Sequence, residues 1–259
     1  MRHSFLDQYS HLVSPAHRRD PRLKFLLSLL FIVAVVLTPA GSWATYAAYF
    51  AILGSIFAIS KLPLGYVLKR SLIILPFVFL LGVINVFTRP GVELLSFDIG
   101  GWHLGATDGG LKFISTLLAR SWLSVLALIL LTSTTPLPAL LKGIERLGAP
   151  RVLVMILSFM YRYLFLLIDE VLRMKQARDS RSVGSPPASF QARTVGSMIG
   201  SLFIRSYERG ERVYAAMAAR GFDGQSRTFN ELAFDGTDIA AGAALSLVLI
   251  LPLTVSLLV

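Results

Sequence analysis

Five apolar runs, at roughly 23–38, 43–60, 64–88, 111–132 and 239–259, contain no Asp or Glu anywhere. Each is about as long as a bilayer's hydrocarbon core requires of a helix rising 1.5 Å per residue, and the first is the shortest. In lipid a backbone must satisfy its own hydrogen bonds, so a chain with five such segments is expected to fold as membrane-crossing helices. Its mean hydropathy of +0.66 over 259 residues, with 15% charged residues, is too apolar for an ordinary soluble domain.

Turn residues separate the runs. Pro39, Gly41 and Ser42 part the first from the second, Lys61 and Pro63 end the second, and Pro90-Gly91 ends the third. Pro76 and Pro252 fall inside runs, where a membrane helix tolerates them with a kink. The polar segment 1–22 ends in Arg18, Arg19 and Arg22 and no Ala-x-Ala-like site follows, so the first run is expected to be a retained span.

The net charge of +10 is placed asymmetrically. Arg2, Arg18, Arg19, Arg22 and Lys24 mark the amino end, and Lys61, Lys69 and Arg70 mark the second connection. The first connection, 38–44, carries no charge, and the third balances Arg89 against Glu93, Asp98 and Asp108. The positive-inside rule therefore predicts a cytoplasmic amino terminus and second loop, external first and third loops, and a cytoplasmic basic stretch after Leu131. Five spans then leave Val259 outside. The expected division is a four-span region 1–133, a cytoplasmic coupling region 134–238 and a final span 239–259. With this hydropathy, the basic charge serves orientation and anionic lipid rather than nucleic acid. The chain has no Cys, which excludes disulfides, thiolate metal sites and a Cys nucleophile.

Val152 to Ile168 is apolar enough to pass as a sixth span. Basic residues crowd both flanks, however, and Arg162 would sit near the bilayer centre at a cost of about 2.5–3.5 kcal/mol. A helix along the cytoplasmic surface is the preferred reading. Around it, Pro136 and Pro138 open a short amphipathic helix closed by Gly148, Pro150 begins the long apolar helix, and Gly184-Ser185-Pro186-Pro187 ends it. From Ala188 to Arg220, the positions Ala192, Val195, Ile199, Leu202, Ser206, Arg209, Val213, Ala216 and Arg220 repeat at helical spacing, with a basic edge at Arg205, Arg209 and Arg212.

Two Ala-Arg steps, Ala177-Arg178 and Ala219-Arg220-Gly221, fall near the ends of these two long helices. Arg220 and Gly221 have a purely structural explanation, since a cation in the last turn complements the dipole and Gly at C′ takes the left-handed conformation cheaply. Repetition at both helices favours function. A small residue beside an Arg lets a helix tip enter a groove, where the guanidinium pairs with carboxylates.

Several spaced blocks carry a family resemblance: His17-Arg18-Arg19-Asp20-Pro21-Arg22-Leu23-Lys24, Pro63 to Ser71, Ser158-Phe159-Met160-Tyr161-Arg162-Tyr163, Ala177-Arg178-Asp179-Ser180-Arg181, and Arg205 through Arg212 to Gly221-Phe222. Together they resemble the transmembrane T component of energy-coupling factor importers, most closely the cobalt-transport CbiQ branch, from near the amino terminus to about Gly224. The resemblance implies an all-α polytopic membrane fold with about five spans and three cytoplasmic coupling helices. It also implies that Ala177-Arg178-Asp179 and Ala219-Arg220-Gly221 end coupling helices in grooves on a pair of ATP-binding subunits. Asp179 departs from the family's commoner Ala-Arg-Gly form, which leaves Arg181-Ser182 as an alternative deeper contact. ATP and Mg would belong to those subunits, and the ion, cobalt by resemblance, to a separate membrane-embedded substrate-binding subunit. A nickel or vitamin importer, or a scaffold recruiting ATPases without transport, are the alternatives. The implied location is a bacterial or archaeal plasma membrane.

The residues themselves argue against catalysis in this chain. No GxxxxGK[ST] exists to cradle phosphates, and carboxylate-free spans disfavour an intramembrane hydrolase or a proton-coupled carrier. His3, Asp7, His11 and His17 read as scattered polar residues on a cytoplasmic arm, and His103 with Asp98 and Asp108 as a solvated external loop, rather than as metal ligands. Within the spans, Asn85 and Arg120 are polar, and Arg120 is expected to face protein or water, paired with a carbonyl or with an Asp of the external loop. Ala51, Gly54, Ser55 and Ala58 suggest a close helix contact on the second run.

Overall fold

A computed structural model describes residues 14–88, 92–99, 102–181, 184, 187–224 and 236–258. His3, Asp7, His11, the Pro90-Gly91 break, Ser182 and Ser185-Pro186 lie outside them. The chain divides into two compact units, Ser4–Gly143 with Leu232–Val259, and Ile144–Glu231 with Met1–His3.

The first unit is a helical bundle. A short α1 (Pro15–Arg18) precedes α2 (Pro21–Leu37), α3 (Trp43–Ser60), α4 (Leu64–Leu72), α5 (Leu75–Thr88), α6 (Asp108–Thr134), α7 (Leu137–Arg146) and α10 (Gly236–Leu258). Its core joins Phe31, Val35, Tyr49, Leu53, Leu126 and Leu249 from α2, α3, α6 and α10. Phe31 and Tyr49 meet edge to face at 5.5 Å, the arrangement ring quadrupoles prefer. The Tyr49 hydroxyl donates to the Leu249 carbonyl at 3.4 Å, one residue from the carbonyl that loses its donor to Pro252.

Two cations pin α2 antiparallel to α6. Lys24 Nζ donates to the Thr134 carbonyl at 3.2 Å and to the His17 carbonyl at 3.0 Å. At the other end of α2, Arg120 donates through Nε to the Tyr46 hydroxyl at 3.0 Å and through Nη2 to the Thr38 carbonyl. Thr134 and Thr38 lie at helix C-termini, where carbonyls lack intrahelical donors and the dipole favours positive charge. The links are equally spaced on both helices, about 21 Å apart, so they specify one register. Of the two partners expected for Arg120, a carbonyl is the one found, together with a hydroxyl.

Among the described residues, four helices, α3, α6, α10 and the α8 described below, are long and apolar enough to cross a membrane, and the α4–α5 pair makes a fifth if it counts as one span. That pair bends by 40° at Ile73-Ile74. Pro76 thus stands in the first turn of α5 rather than inside a continuous helix, and its missing N–H leaves the Leu72 carbonyl without its intrahelical donor. The 17-residue α2 is shorter, yet it packs in the core.

Three expectations change. Where a polar external loop was expected, β1 (Glu93–Ile99) pairs antiparallel with β2 (Trp102–Thr107), with Asp98 opposite His103. Ala51, Gly54, Ser55 and Ala58 are exposed on α3, and a Cβ at Gly54 would meet nothing within 4 Å. Close approach happens instead at Gly110, where a Cβ would stand 2.6 Å from the Val86 backbone. Finally, the α9 stripe is rotated at both ends, as described next.

Candidate functional site: the α8–α9 helical pair

In the second unit, α8 (Arg151–Arg181) and α9 (Ala188–Ala219) follow a turn in which Gly148 takes φ +106. The Ala149 N–H reaches the Ile144 carbonyl and the Gly148 N–H the Glu145 carbonyl, which closes α7 as its Gly predicts. The long helices carry little core: only Val154 is buried on α8 and nothing on α9. The half-buried positions of α9 are Thr194, Met198, Leu202, Ser206, Arg209, Val213 and Met217. Sequence periodicity finds the middle of this stripe but substitutes Ala192, Val195 and Ile199 at one end and Ala216 and Arg220 at the other. Small and apolar residues occur all round α9, so spacing alone leaves its phase loose. Its exposed side holds Gly196, Gly200, Phe203, Tyr207, Gly210 and Tyr214 in a 4-3-4-3-4 spacing, and the glycines meet nothing within 4 Å. That alternation is the spacing at which one helix packs on another, with glycines that would admit a neighbouring backbone.

The first Ala-Arg step lies near the end of α8 as expected, with Arg178 in the last turn, while Ser180 and Arg181 continue the helix and a left-handed glycine follows at Gly184, φ +78. Ala177 and Arg178 line a concavity of about 810 Å³ between α8 and the amino-terminal half of α9. Arg173, Arg178 and Arg181 face it from α8 and Arg205 from α9, over Met174 and Met198. Arg178 is 31% exposed, and Asp179 accepts both its Nε, at 3.0 Å, and its Nη2, at 2.7 Å. Asp179 therefore holds and partly neutralises this guanidinium.

The second step ends α9. Arg220 is the C-cap, Gly221 takes φ +75, the Phe222 N–H reaches the Met217 carbonyl and the Gly221 N–H the Ala218 carbonyl. These are the two bonds of a Schellman motif, with half-buried Phe222 and Met217 at the positions of its hydrophobic contact. Ala219, Arg220 and Gly221 are all exposed. Since Ala177, Arg178 and Thr194 line one concavity, Arg220 lies about 39 Å from that level along α9. The fold thus presents two cationic points at separate places, one on α8 and one at the end of α9.

Comparison with known proteins bears on this arrangement. The family model described as CbiQ, cobalt transport protein, matches residues 13–230. The chain belongs to the CbiQ family. It is 30% identical to the energy-coupling factor transporter transmembrane protein EcfT of Limosilactobacillus fermentum, over 92% of each chain, and to that of Heliobacterium modesticaldum, over 95% of each. It is 29% identical to the putative fused cobalt transport protein CbiMQ of Methanocorpusculum labreanum, over 82% of this chain and 36% of the relative. With several helices long and apolar enough to span, this family member is a multi-pass membrane protein.

Sequence reasoning missed Glu170. Its carboxylate accepts from Arg173 on its own helix and from Arg205 on α9. Both arginines hold the carboxyl below the usual glutamate range. Glu170 and Arg173 at i,i+3 were visible as a local pair, but the link to Arg205 was not.

Proposed function

We propose that this chain is the transmembrane coupling subunit of an ATP-driven energy-coupling factor importer for a transition-metal ion, with cobalt as cargo and no catalysis of its own. ATP and Mg are bound by two ATPase subunits. The observation that carries the reading is the pair of cationic points on α8 and α9, Arg178 in the concavity and Arg220 at a tip about 39 Å along α9 from Thr194 of that same concavity, a layout suited to one contact on each of two ATPases. Arg220, with Ala219 and Gly221, is the exposed tip, and Ala177, Arg178, Asp179 and Arg181 form the second contact. The glycine-aromatic seam of α9 is offered to a helix of the membrane-embedded substrate-binding subunit. The amino terminus is cytoplasmic, and Val152 to Ile168 lies on that face of the membrane.

The test is affinity purification from native membranes of wild type beside Arg220→Glu, with mass spectrometry and ATPase assays. Wild type should bring down the ATPases and a small membrane partner, and the variant should lose the ATPases while inserting normally. Normal complex recovery and uptake by Arg220→Glu would sink the assignment. A different cargo, nickel or a vitamin, has one specific support: EcfT relatives whose names specify no metal cover more of the chain than CbiMQ does. Radiolabelled uptake by the intact complex separates the cargoes.

A further inference from the structure

Among the described residues, Glu170 is the sole carboxylate lining the arginine-rich concavity. Its oxygens are divided between two helices: Oε2 accepts from Arg173 Nη2 at 2.7 Å and Oε1 from Arg205 Nη1 at 2.6 Å. The carboxylate is only 15% exposed, against 60% for Arg205, so the shared acceptor is the shielded member. Along α9, Arg205 lies about 17 Å from the level of Thr194 and about 23 Å from Arg220. The brace therefore stands between the two Ala-Arg points.

Its position matters because little else sets the angle between these helices. With α9 burying no residue and α8 only Val154, apolar packing supplies a weak constraint, and the charge-assisted bond between Glu170 and Arg205 supplies a directional one. At this leverage, a change of about 10° about Arg205 displaces Arg220 by about 4 Å, enough to take it out of hydrogen-bond reach.

We infer that Glu170 is a positioning residue, which sets the angle between α8 and α9 through Arg205 and thereby the separation of Arg178 from Arg220. The inference rests on the coupling function proposed above. Arg173, on Glu170's own helix, orients the carboxylate toward α9. Through its bonds to Arg173 and Arg205, Glu170 acts by keeping both contacts in register with two partners at once.

The chain has no Cys, so Lys175→Cys and Ala215→Cys, both at exposed positions, place spin labels on α8 and α9 without background. Distances are measured on the labelled full chain in liposomes. Uptake per ATP is measured on the unlabelled complex with its ATPases and substrate subunit. Wild type should give one narrow distance. Glu170→Gln and Arg205→Ala should broaden or shift it and lower uptake per ATP severalfold while hydrolysis continues. The swap Glu170→Arg/Arg205→Glu should restore both. An unchanged distance in Glu170→Gln overturns the inference, as does a swap no better than the single variants. Failure of wild type to bind ATPases at all would instead refute the coupling function, so the two failures are distinguishable.

Discussion

Arg120 offers a quantitative test of how the bundle is held. Replacing it with Met removes two charge-assisted bonds, to the Tyr46 hydroxyl and the Thr38 carbonyl, at about 1.5–3 kcal/mol each. It also removes a cation from a helix C-terminus, about 0.3–1 kcal/mol. Against these stands relief from holding a charge in the bilayer, about 2.5–3.5 kcal/mol on insertion scales. The net ranges from about zero to about 4.5 kcal/mol, so the single variant decides little. The coupling to Tyr46 is sharper. In wild type, Tyr46→Phe removes both the bond from Arg120, about 1.5–3 kcal/mol, and the hydroxyl's own bond to the Thr38 carbonyl, about 0.5–1.5 kcal/mol. In the Arg120→Met background, the same change removes only the neutral bond to the Thr38 carbonyl, 3.4 Å long, about 0.5–1.5 kcal/mol. The bond to Thr38 cancels, so the cycle should give a coupling of about 1.5–3 kcal/mol, at or above the top of the range for hydrogen bonds in membranes. Reversible unfolding by sodium dodecyl sulfate in bicelles, followed by tyrosine and tryptophan fluorescence, measures all four corners. Effects that add within about 0.3 kcal/mol would show that Arg120 does not bind Tyr46 and would remove the side-chain link between α6 and α3.

Other substitutions probe the same architecture. Gly110→Ala sets a Cβ 2.6 Å from backbone atoms of Val86, which cannot yield, so α5 must move off α6 and the unfolding midpoint should drop by more than the about 1–3 kcal/mol of ordinary overpacking. Gly242→Ala meets only the tip of the Leu23 side chain, which can rotate, and gains helix propensity, so its change should stay within about 1 kcal/mol; equal losses in the two would refute the distinction. Gly221→Ala, with open space around it but φ +75, should fray the end of α9 at a cost of about 1–2 kcal/mol, read as faster hydrogen exchange at residues 217–222. Glu170's carboxyl is depressed below its ordinary value of 4.5 by Arg173 and then Arg205. Its contribution is therefore complete above that value and disappears as pH falls through the depressed one, so the α8–α9 label distance should stay narrow at neutral pH and broaden only in that acidic window.

The sequence by itself determined what depends on neighbouring residues. Apolar length and the placement of Lys and Arg mark the spans, and Gly148 and Gly221 end α7 and α9 where predicted, because a left-handed residue after a helix is a local backbone requirement. The Ala-Arg steps near the ends of α8 and α9 were legible for the same reason. Tertiary structure decided what joins distant residues. It chose Thr38 and Tyr46 for Arg120, Gly110 rather than Gly54 for close packing, a hairpin for the third loop, and Arg205 for Glu170. In helices apolar on every side, periodicity has no strong phase, so the facing surface is set by which neighbour arrives and which polar group there must be satisfied.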